Sequence, residues 1–507
     1  STPCGTLFPY TTLFRSEITS SSGADTLLFP IYTTAVGAQT SFSTTNTGGS
    51  TIVAKIRFRE QEHSMDVLDF LVVYSPYDKF DFTVAQGEDV RPTMRWNDNS
   101  CVVGPAVGGE QQFPPPSLWV ETDEQMSVGH LEVLGMFTLD DVYWSSSEAQ
   151  ACYGDCPSGE GFASLAAAAD HGNTGEPANC NLLVNVLSSP TAVASIKEAT
   201  GLEFGEDSVD VPNDLIGRYV ITGADGGIEA GGDAIAIANS DLGEDATAQS
   251  SADVTNADQE YDWDGREWDH PHLGEMENLE AFQELLSASA VAGDWSNNPA
   301  NFVGVDWIVS FPSKYAYLDY NVDDGDGGCP SSGWCLLNET RTGNGQDGIW
   351  ADTEVGDGTG NLCLRDNDPD VWDTEEQESA ANVSVSPGSR SELDICNELN
   401  ILTLAGEGQD VRTSVIQTEA RRQEVEFTNL DAIRGWGKLT FTWASGEGEP
   451  GGAVNALSFT SRATLDPAFN NASLTTLQKF PCVEGECSKP NGGASPGNAV
   501  ELDPIND

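Results

Sequence analysis

The residues of this chain best suited to chemistry are carboxylates and amides gathered in glycine-rich segments of its second half. Calcium takes about six to eight oxygen ligands, and Asp, Asn and Gly loops supply them without steric cost. We predict a calcium site there, with candidate ligands Asn321, Asp323, Asp324, Asp326, Asp366, Asp368 and Asp370. Further oxygen donors in this stretch are Asp347, Asp352, Asp357 and Asn367. The alternative interpretation is a solvated acidic loop that holds no ion.

The spacing from Asp366 is not that of an EF-hand. Val371 stands where that loop needs glycine, and Gln377 stands where it needs a bidentate glutamate. Any calcium in this stretch would therefore need another loop geometry.

A second group places two imidazoles beside two carboxylates: Asp269, His270, His272 and Glu275. Such a set could hold a transition metal or supply a general base. Pro271 between the histidines prevents the helical spacing of an HExxH site. A surface turn with an acidic helix cap is the simpler interpretation.

The sequence contains no GxSxG, HExxH, GxGxxG or Walker motif, so we predict that the protein is not an enzyme. A glycosidase needs only two suitably spaced carboxylates, which the abundant acids neither reveal nor exclude. Tryptophans could stack on sugars or pack in a β-sheet core. The candidates for stacking on sugars are Trp263, Trp268, Trp295, Trp307 and Trp334.

The chain is strongly acidic, with 81 acidic against 22 basic residues and a formal net charge of −59 over 507 residues. Such a charge repels nucleic acid and anionic lipid, which excludes nucleic-acid binding as a function. It favours cations as partners, or solubility in a saline medium. We find no apolar run long enough for a membrane-spanning helix.

The eleven cysteines lack the spacing of zinc, haem c or thioredoxin-like sites. Disulfides explain them better, and they indicate an oxidising compartment. Short spacing favours Cys152 with Cys156, Cys329 with Cys335 and Cys482 with Cys487. Cys363 with Cys396 and the remaining Cys101 with Cys180 complete one possible pairing, which leaves Cys4; other connectivities stay open.

The elements that must position these residues are mostly strands. Thr51 to Gln86 predicts three: an alternating strand with one buried face, a continuous apolar strand covered on both faces, and a second alternating strand. With strands at Thr26 to Thr33 and Gln39 to Asn46, the close spacing predicts an antiparallel β-sandwich.

The rest of the chain is predicted to contain loops, short helices and further strands. Arg91 to Ser117 is expected as loop, and Ala166 to Ala169 as part of a short helix. Leu182 to Leu187 is predicted as a strand and Met276 to Ala290 as a helix. Val303 to Phe311 and Lys314 to Asn321 are predicted as a strand pair, and more strands follow to residue 460.

The predicted fold class is therefore mainly β, built from antiparallel β-sandwiches with long disulfide-stapled loop insertions and one or two short helices. We divide the sequence into a segment foreign to the protein (1–16), a sandwich core (17–144), a Gly/Ala/Asp-rich insertion (145–260), a helix with strands (261–322), an acidic disulfide-rich region (323–397), C-terminal strands (398–480), and a disulfide loop with a mobile tail (481–507).

Two resemblances qualify this division. Thr6 to Ser16 resembles the translation of a sequencing-library adapter. The strings IRFRE (56–60), VLDF (67–70), YSPYD (74–78), NSC (99–101) and WIVSFP (307–312) resemble a family of secreted cell surface proteins of environmental Gammaproteobacteria. That resemblance implies an exported, surface-associated protein, and it brings no catalytic residue.

We therefore expect a secreted structural protein that self-assembles on the cell surface into a filament or layer, with calcium bridging its acidic faces. Exposed strand edges would provide the contacts between copies. The alternative is an extracellular carbohydrate-binding protein or carbohydrate-active enzyme, with glycans as partners.

Overall fold

The computed structural model describes residues 17–240 apart from 20–22, 63–65, 105–108, 116–121, 157–160, 201–210 and 224–227. Between 287 and 480 it describes the strands named below together with Phe311, Thr374 and Asn397. The protein is mainly β with several antiparallel sheets, so the predicted fold class is confirmed.

The first sheet runs through the centre of the N-terminal half and has seven strands. Their order is β1 (Glu17–Thr19), β16 (Ile235–Ala238), β2 (Thr26–Thr33), β10 (Val128–Thr138), β4 (Ile52–Glu60), β5 (Asp66–Tyr74) and β8 (Cys101–Val103). All neighbours pair antiparallel.

A second, six-stranded sheet faces the first. Its order is β15 (Ile228–Asp233), β14 (Leu215–Thr222), β3 (Gln39–Asn46), β6 (Lys79–Gln86), β7 (Pro92–Trp96) and β9 (Glu110–Gln112). Alternation along these strands sends Phe42 and Phe82 inward, where they contact Phe29 and Phe58 of the first sheet. The two sheets thus form a sandwich, and strands from residues 215–238 contribute to both.

The far face of the first sheet is covered by a third layer. This layer holds α1 (Leu165–Ala169), α2 (Cys180–Leu187), α3 (Pro190–Thr200), and a small sheet of β12 (Gln150–Tyr153), β11 (Val142–Ser145) and β13 (Phe162–Ser164). Short 3₁₀ turns cover Ala35–Gly37 and Gln125–Ser127. Val53 and Leu71 pack in one cluster with Leu183, Leu187 and Ile196.

Because of this third layer, β5 is covered on both faces, as the sequence predicts. The expectation that β4 buries only one face is wrong, since all nine of its residues are buried. The sequence alternation is real, but both sides of the strand meet protein.

The C-terminal half adds two larger sheets. The first contains β25 (Glu378–Ser379), β24 (Asp370–Asp373), β29 (Arg434–Thr440), β18 (Ala290–Ser296) and β33 (Gln478–Phe480). The second contains β26 (Ala381–Val385), β28 (Arg422–Phe427), β27 (Leu399–Gly406), β19 (Gly304–Ser310), β31 (Leu457–Ala463) and β32 (Thr475–Thr476). Within the second, β27 and β28 run parallel.

Three further pairs of strands complete the described part of the chain. They are β17 (Ser287–Ala288) with β30 (Val454–Asn455), β20 (Leu318–Val322) with β21 (Trp334–Thr340), and β22 (Ala351–Asp352) with β23 (Leu362–Cys363).

Several predicted elements need correction. Leu182 to Leu187 lies in α2 instead of a strand, because the Asn179 side chain accepts a hydrogen bond from the Leu182 N–H at 3.2 Å and caps the helix. The predicted loop Arg91 to Ser117 contains β7, β8 and β9, which are five, three and three residues long; strands this short carry little of the period-two pattern by which strands are recognised in a sequence.

Two predictions at the start of the C-terminal half also fail. The C-terminal end of the predicted helix Met276 to Ala290 is wrong, since Ser287, Ala288 and Ala290 are in strands that pair with distant parts of the chain; residues 276–286 lie outside the described residues. The strands predicted at Val303 to Phe311 and Lys314 to Asn321 do not pair with each other. Instead, β19 pairs with β27 and β31, and β20 pairs with β21.

Within the described residues, no helix has the length and apolar character needed to cross a membrane.

Candidate binding surface

The outer face of the second sheet carries a groove of about 590 Å³. Its floor belongs to the central strands β3 and β6, which place small side chains such as Ser41, Ser43 and Thr83 outward. Its walls belong to the flanking strands, with Arg218 on one side and Arg95 on the other. Short side chains at the centre and long ones at the flanks make the surface concave.

The strand register explains how the floor and walls line up. One row across the sheet joins Val220, Ser41, Thr83, Arg95 and Glu110 as successive partners. Within this row the Ser41 and Thr83 hydroxyl oxygens are 3.0 Å apart, at hydrogen-bonding distance.

The next row across the sheet joins Asp233, Arg218, Ser43 and Asp81. Trp96 and Asn97 line the groove at the end of β7. Hydroxyl, amide, guanidinium and carboxylate groups therefore converge over one stretch of sheet.

Each of the two cations that line this groove, Arg95 and Arg218, has a carboxylate neighbour, and so does Lys79 nearby on β6. The closest N···O distances are 3.3 Å for Arg95 with Glu110, 3.9 Å for Arg218 with Asp233 and 2.6 Å for Lys79 with Asp81. These pairs are exposed, so each stabilises the fold by less than about 1 kcal/mol. Their larger effect is local charge balance, on a chain whose formal net charge is −59.

A second polar group lies where the turn after β5 meets the loop after α1. Its members are Asp78, Asp98, Ser100 and His171, the residue types of a nucleophilic hydrolase site. The Ser100 hydroxyl lies 2.6 Å from Asp98 Oδ1 and 3.2 Å from Asp78 Oδ2, so it donates to a carboxylate and not to the imidazole. Without a hydrogen bond from serine to base, the group lacks the arrangement of a catalytic triad.

The electrostatics of this group follow from its position. Burial raises the pKa of Asp78, and the nearby His171, whose Nδ1 is 3.8 Å from Asp78 Oδ1, opposes that shift. Two backbone N–H groups also donate to the Asp78 carboxylate. This group therefore joins the sandwich to the helical layer as a structural contact.

The side chains of β4 that alternate with its apolar residues form a buried ionic cluster. Arg57 and Arg59 both donate to Glu132 Oε2, with closest distances of 2.7 and 2.9 Å, and Lys55 pairs with Asp69 at 2.5 Å. Burial by itself would raise the pKa of Glu132, but the attraction of Arg59 and Arg57 outweighs it and holds that pKa well below its usual range. These groups are enclosed, so their role is in the fold.

The described residues include only part of the predicted calcium site. Asp370 is exposed at the start of β24, and Asn321 lies in β20. Asp323, Asp324, Asp326, Asp366 and Asp368 lie outside the described residues, as do Asp269, His270, His272 and Glu275. No group of three or more metal-ligating side chains occurs in the part of the chain that the structure describes. The calcium site stays a prediction.

Two predicted disulfides are present: Cys101 with Cys180, with Cα atoms 5.5 Å apart, and Cys152 with Cys156, at 5.7 Å. The first joins β8 to the start of α2 and so fastens the helical layer to the central sheet. The pairs predicted for Cys329 with Cys335, Cys363 with Cys396, and Cys482 with Cys487 each include a cysteine outside the described residues.

The tryptophans divide into buried and exposed sets. Trp295 and Trp307 are 1% and 0% exposed, so both are core residues. Trp334 lies in β21, and Trp263 and Trp268 lie outside the described residues. Sequence reasoning missed Trp372 and Trp436, which stack on each other with ring centroids 4.3 Å apart. The sequence did hold a signal for their outward position: on a strand, the residue between two inward-facing neighbours points outward, as Trp372 does in VWD and Trp436 in GWG.

Comparison with known proteins does not assign this surface: no family model, no curated protein and no solved structure matches the chain.

Proposed function

We propose that this protein is a secreted, non-catalytic protein of the cell surface that binds a neutral polysaccharide along the groove of the second sheet. The observation that carries the proposal is the charge-balanced groove itself. On a strongly acidic chain, it is a concavity whose lining cations are paired with carboxylates, which suits an uncharged ligand.

The chemistry of a sugar chain fits the side chains at this groove. Sugar hydroxyls both donate and accept hydrogen bonds. The groove offers donors on Arg95, Arg218 and Asn97, an acceptor on Asp81, and hydroxyls on Ser41 and Ser43. Ligand sites commonly enclose about 300–1,000 Å³, a range that includes this groove.

Export is supported by the disulfides. Cross-links of this kind persist in oxidising compartments, and Cys101–Cys180 joins two layers of the fold. The resemblance of the strand motifs to secreted cell surface proteins points the same way.

The test is calorimetric titration of the full chain with neutral and anionic polysaccharides. Ser41→Tyr fills the centre of the groove from an outward position, and we expect it to weaken binding of a neutral glycan by about tenfold or more. Thr45→Tyr is the matched control, because Thr45 also faces outward on β3 but does not line the groove. Binding that survives Ser41→Tyr unchanged, or wild-type protein that binds no neutral polysaccharide, would refute the proposal.

Self-assembly is a second candidate, favoured by one strand edge. The edge strands of the four largest sheets are two or three residues long except β15 and β26. Of these two, β15 contacts β31, whereas the five residues of β26 pair only with β28 among the described strands. A second copy could add a strand to β26, with calcium reducing the repulsion between acidic chains.

Sedimentation velocity and electron microscopy over a range of calcium concentrations test this candidate. Filaments or layers that form with calcium and dissolve with chelator would support it. A monomer at every calcium and protein concentration would exclude it.

A further inference from the structure

Strand β29 directs one tryptophan away from the core between two glycines. Gly435 and Gly437 lie on the inner side of the strand, where core tryptophans approach the backbone. A Cβ on Gly435 would lie 2.7 Å from the Trp295 ring, and one on Gly437 would lie 3.4 Å from the Trp307 ring. Trp436 between them faces outward and is 40% exposed.

Among the described residues, the outward ring stacks on one aromatic neighbour, Trp372. Trp372 is the register partner of Trp436 on β24, and the two indoles are nearly parallel, with an interplanar angle of 19°. The backbone carbonyl of Trp372 also accepts a hydrogen bond from Trp295 Nε1 at 3.1 Å. This hydrogen bond ties the backbone of β24 to a core tryptophan and so holds the backbone that carries Trp372 in a fixed orientation.

Charged residues border the aromatic pair. On the other side of Trp436 its register partner is Asp294 of β18, which is exposed. One step along the same face, Asp370 of β24 is the partner of Lys438 of β29. An apolar protein surface would have to desolvate these charged groups, whereas a polyhydroxylated ring meets both kinds of surface: its C–H face suits an indole, and its hydroxyls suit carboxylate and ammonium groups.

We infer that Trp436, backed by Trp372 and bordered by Asp294, Asp370 and Lys438, is a second glycan site that stacks a neutral pyranose ring. This inference rests on the proposed function, because it assigns the same class of ligand to a different sheet. Two sites on one chain would let a long polysaccharide bind with higher avidity than a short one.

Fluorine NMR of the full chain labelled with fluorotryptophan tests the site directly. Trp436→Phe assigns the resonance of Trp436 by its disappearance. Titration with the neutral hexasaccharides cellohexaose, laminarihexaose and maltohexaose should shift this resonance with at least one of them. The shift should persist in Ser41→Tyr, whose groove is filled. A Trp436 resonance that none of the three moves overturns the inference.

Affinity measurements separate the two proposals. We expect Trp436→Ala to weaken polysaccharide binding by about tenfold, with Trp436→Phe closer to wild type because it keeps an aromatic face. Thermal unfolding checks that both variants are folded. If only Ser41→Tyr weakens binding, the second site is refuted and the groove stands. If only Trp436→Ala does, the groove is refuted and the Trp436 site stands.

Discussion

Glu132 and His130 show how single residues make the centre of the first sheet sensitive to acid. Both are fully buried in β10 beside Arg57 and Arg59. Burial lowers the pKa of His130, against the opposing effect of Glu132, whose Oε1 is 3.9 Å from His130 Nε2. Neither ring nitrogen has a hydrogen-bond partner within the described structure, which favours the neutral imidazole.

The sign of the resulting pH dependence follows from linkage. A folded-state pKa below the unfolded value makes protonation favour the unfolded chain. For His130 the free energy of unfolding should therefore fall as the pH drops below about 6.5, and for Glu132 it should fall further below about 4.5. Urea unfolding at a series of pH values measures both steps.

His130→Phe should remove the first step and leave the second. If the free energy of unfolding falls equally in the variant and the wild type between about pH 7 and pH 5, His130 is not the responsible group.

The buried carboxylate should matter far more than an exposed one. Glu132→Gln leaves Arg57 and Arg59 without this counter-charge and should lower the free energy of unfolding by roughly 3–5 kcal/mol. The matched control is Glu110→Gln, which breaks the exposed pair with Arg95 and should cost less than about 1 kcal/mol. Denaturant titrations of both variants give the comparison, and equal losses would contradict this account of the cluster.

At the scale of elements, the helical layer depends on a few local contacts. The N-terminus of α2 is capped by Asn179 and joined to β8 through Cys180. At α3, the Ser189 hydroxyl accepts a hydrogen bond from the Ala192 N–H at 3.3 Å, and Pro190 occupies the first turn. These short helices are held by packing on the central sheet, since isolated helices of this length are marginal.

Removing the long-range disulfide should loosen this layer. Cys101→Ala with Cys180→Ala opens a link across 79 residues and should lower stability by roughly 2–4 kcal/mol. Cys152→Ala with Cys156→Ala opens a link across only 4 residues and should cost less, because the loop it closes is short. Thermal unfolding of the two double variants tests this order, and the reverse order would show that loop entropy does not govern the effect.

At the scale of the whole molecule, the two halves share a core. Ile308, Leu399 and Ile401 of the C-terminal sheet belong to the same hydrophobic cluster as Phe58 of the sandwich. The Leu399 N–H also donates to the Gln61 carbonyl at 3.0 Å. Energetic coupling between the halves is the expected consequence.

Leu399→Ala should destabilise the sandwich although it lies outside it in sequence. We expect a loss of roughly 2–5 kcal/mol, and faster hydrogen exchange in β4 and β5 as well as in β27. Ile216→Ala, at an exposed position on the sandwich, should change stability by less than about 0.5 kcal/mol. Unchanged exchange in β4 and β5 would mean that the halves unfold independently.

The sequence by itself determined five strands of the sandwich, β2 to β6, and their close spacing along the chain. Thr26–Thr33 and Gln39–Asn46 have the predicted bounds, because an apolar run, an alternating run and the turn residues between them are local properties of the chain. Two of the cysteine pairs could also be predicted, since short spacing and elimination restrict the choices. The prediction that the protein does not bind nucleic acid rests on net charge, which does not depend on the fold.

Only the tertiary structure decided which strand faces are buried and which side chains they contact. Lys55, Arg57 and Arg59 read as an exposed face, yet they are buried because Asp69 and Glu132 from neighbouring strands pair with them. The sequence predicts Leu182 to Leu187 as a strand, but the Asn179 cap and the packing on the central sheet make it part of helix α2. The groove and the Trp436 stack each join strands far apart in sequence, so strand register, which local patterns do not encode, creates both candidate sites.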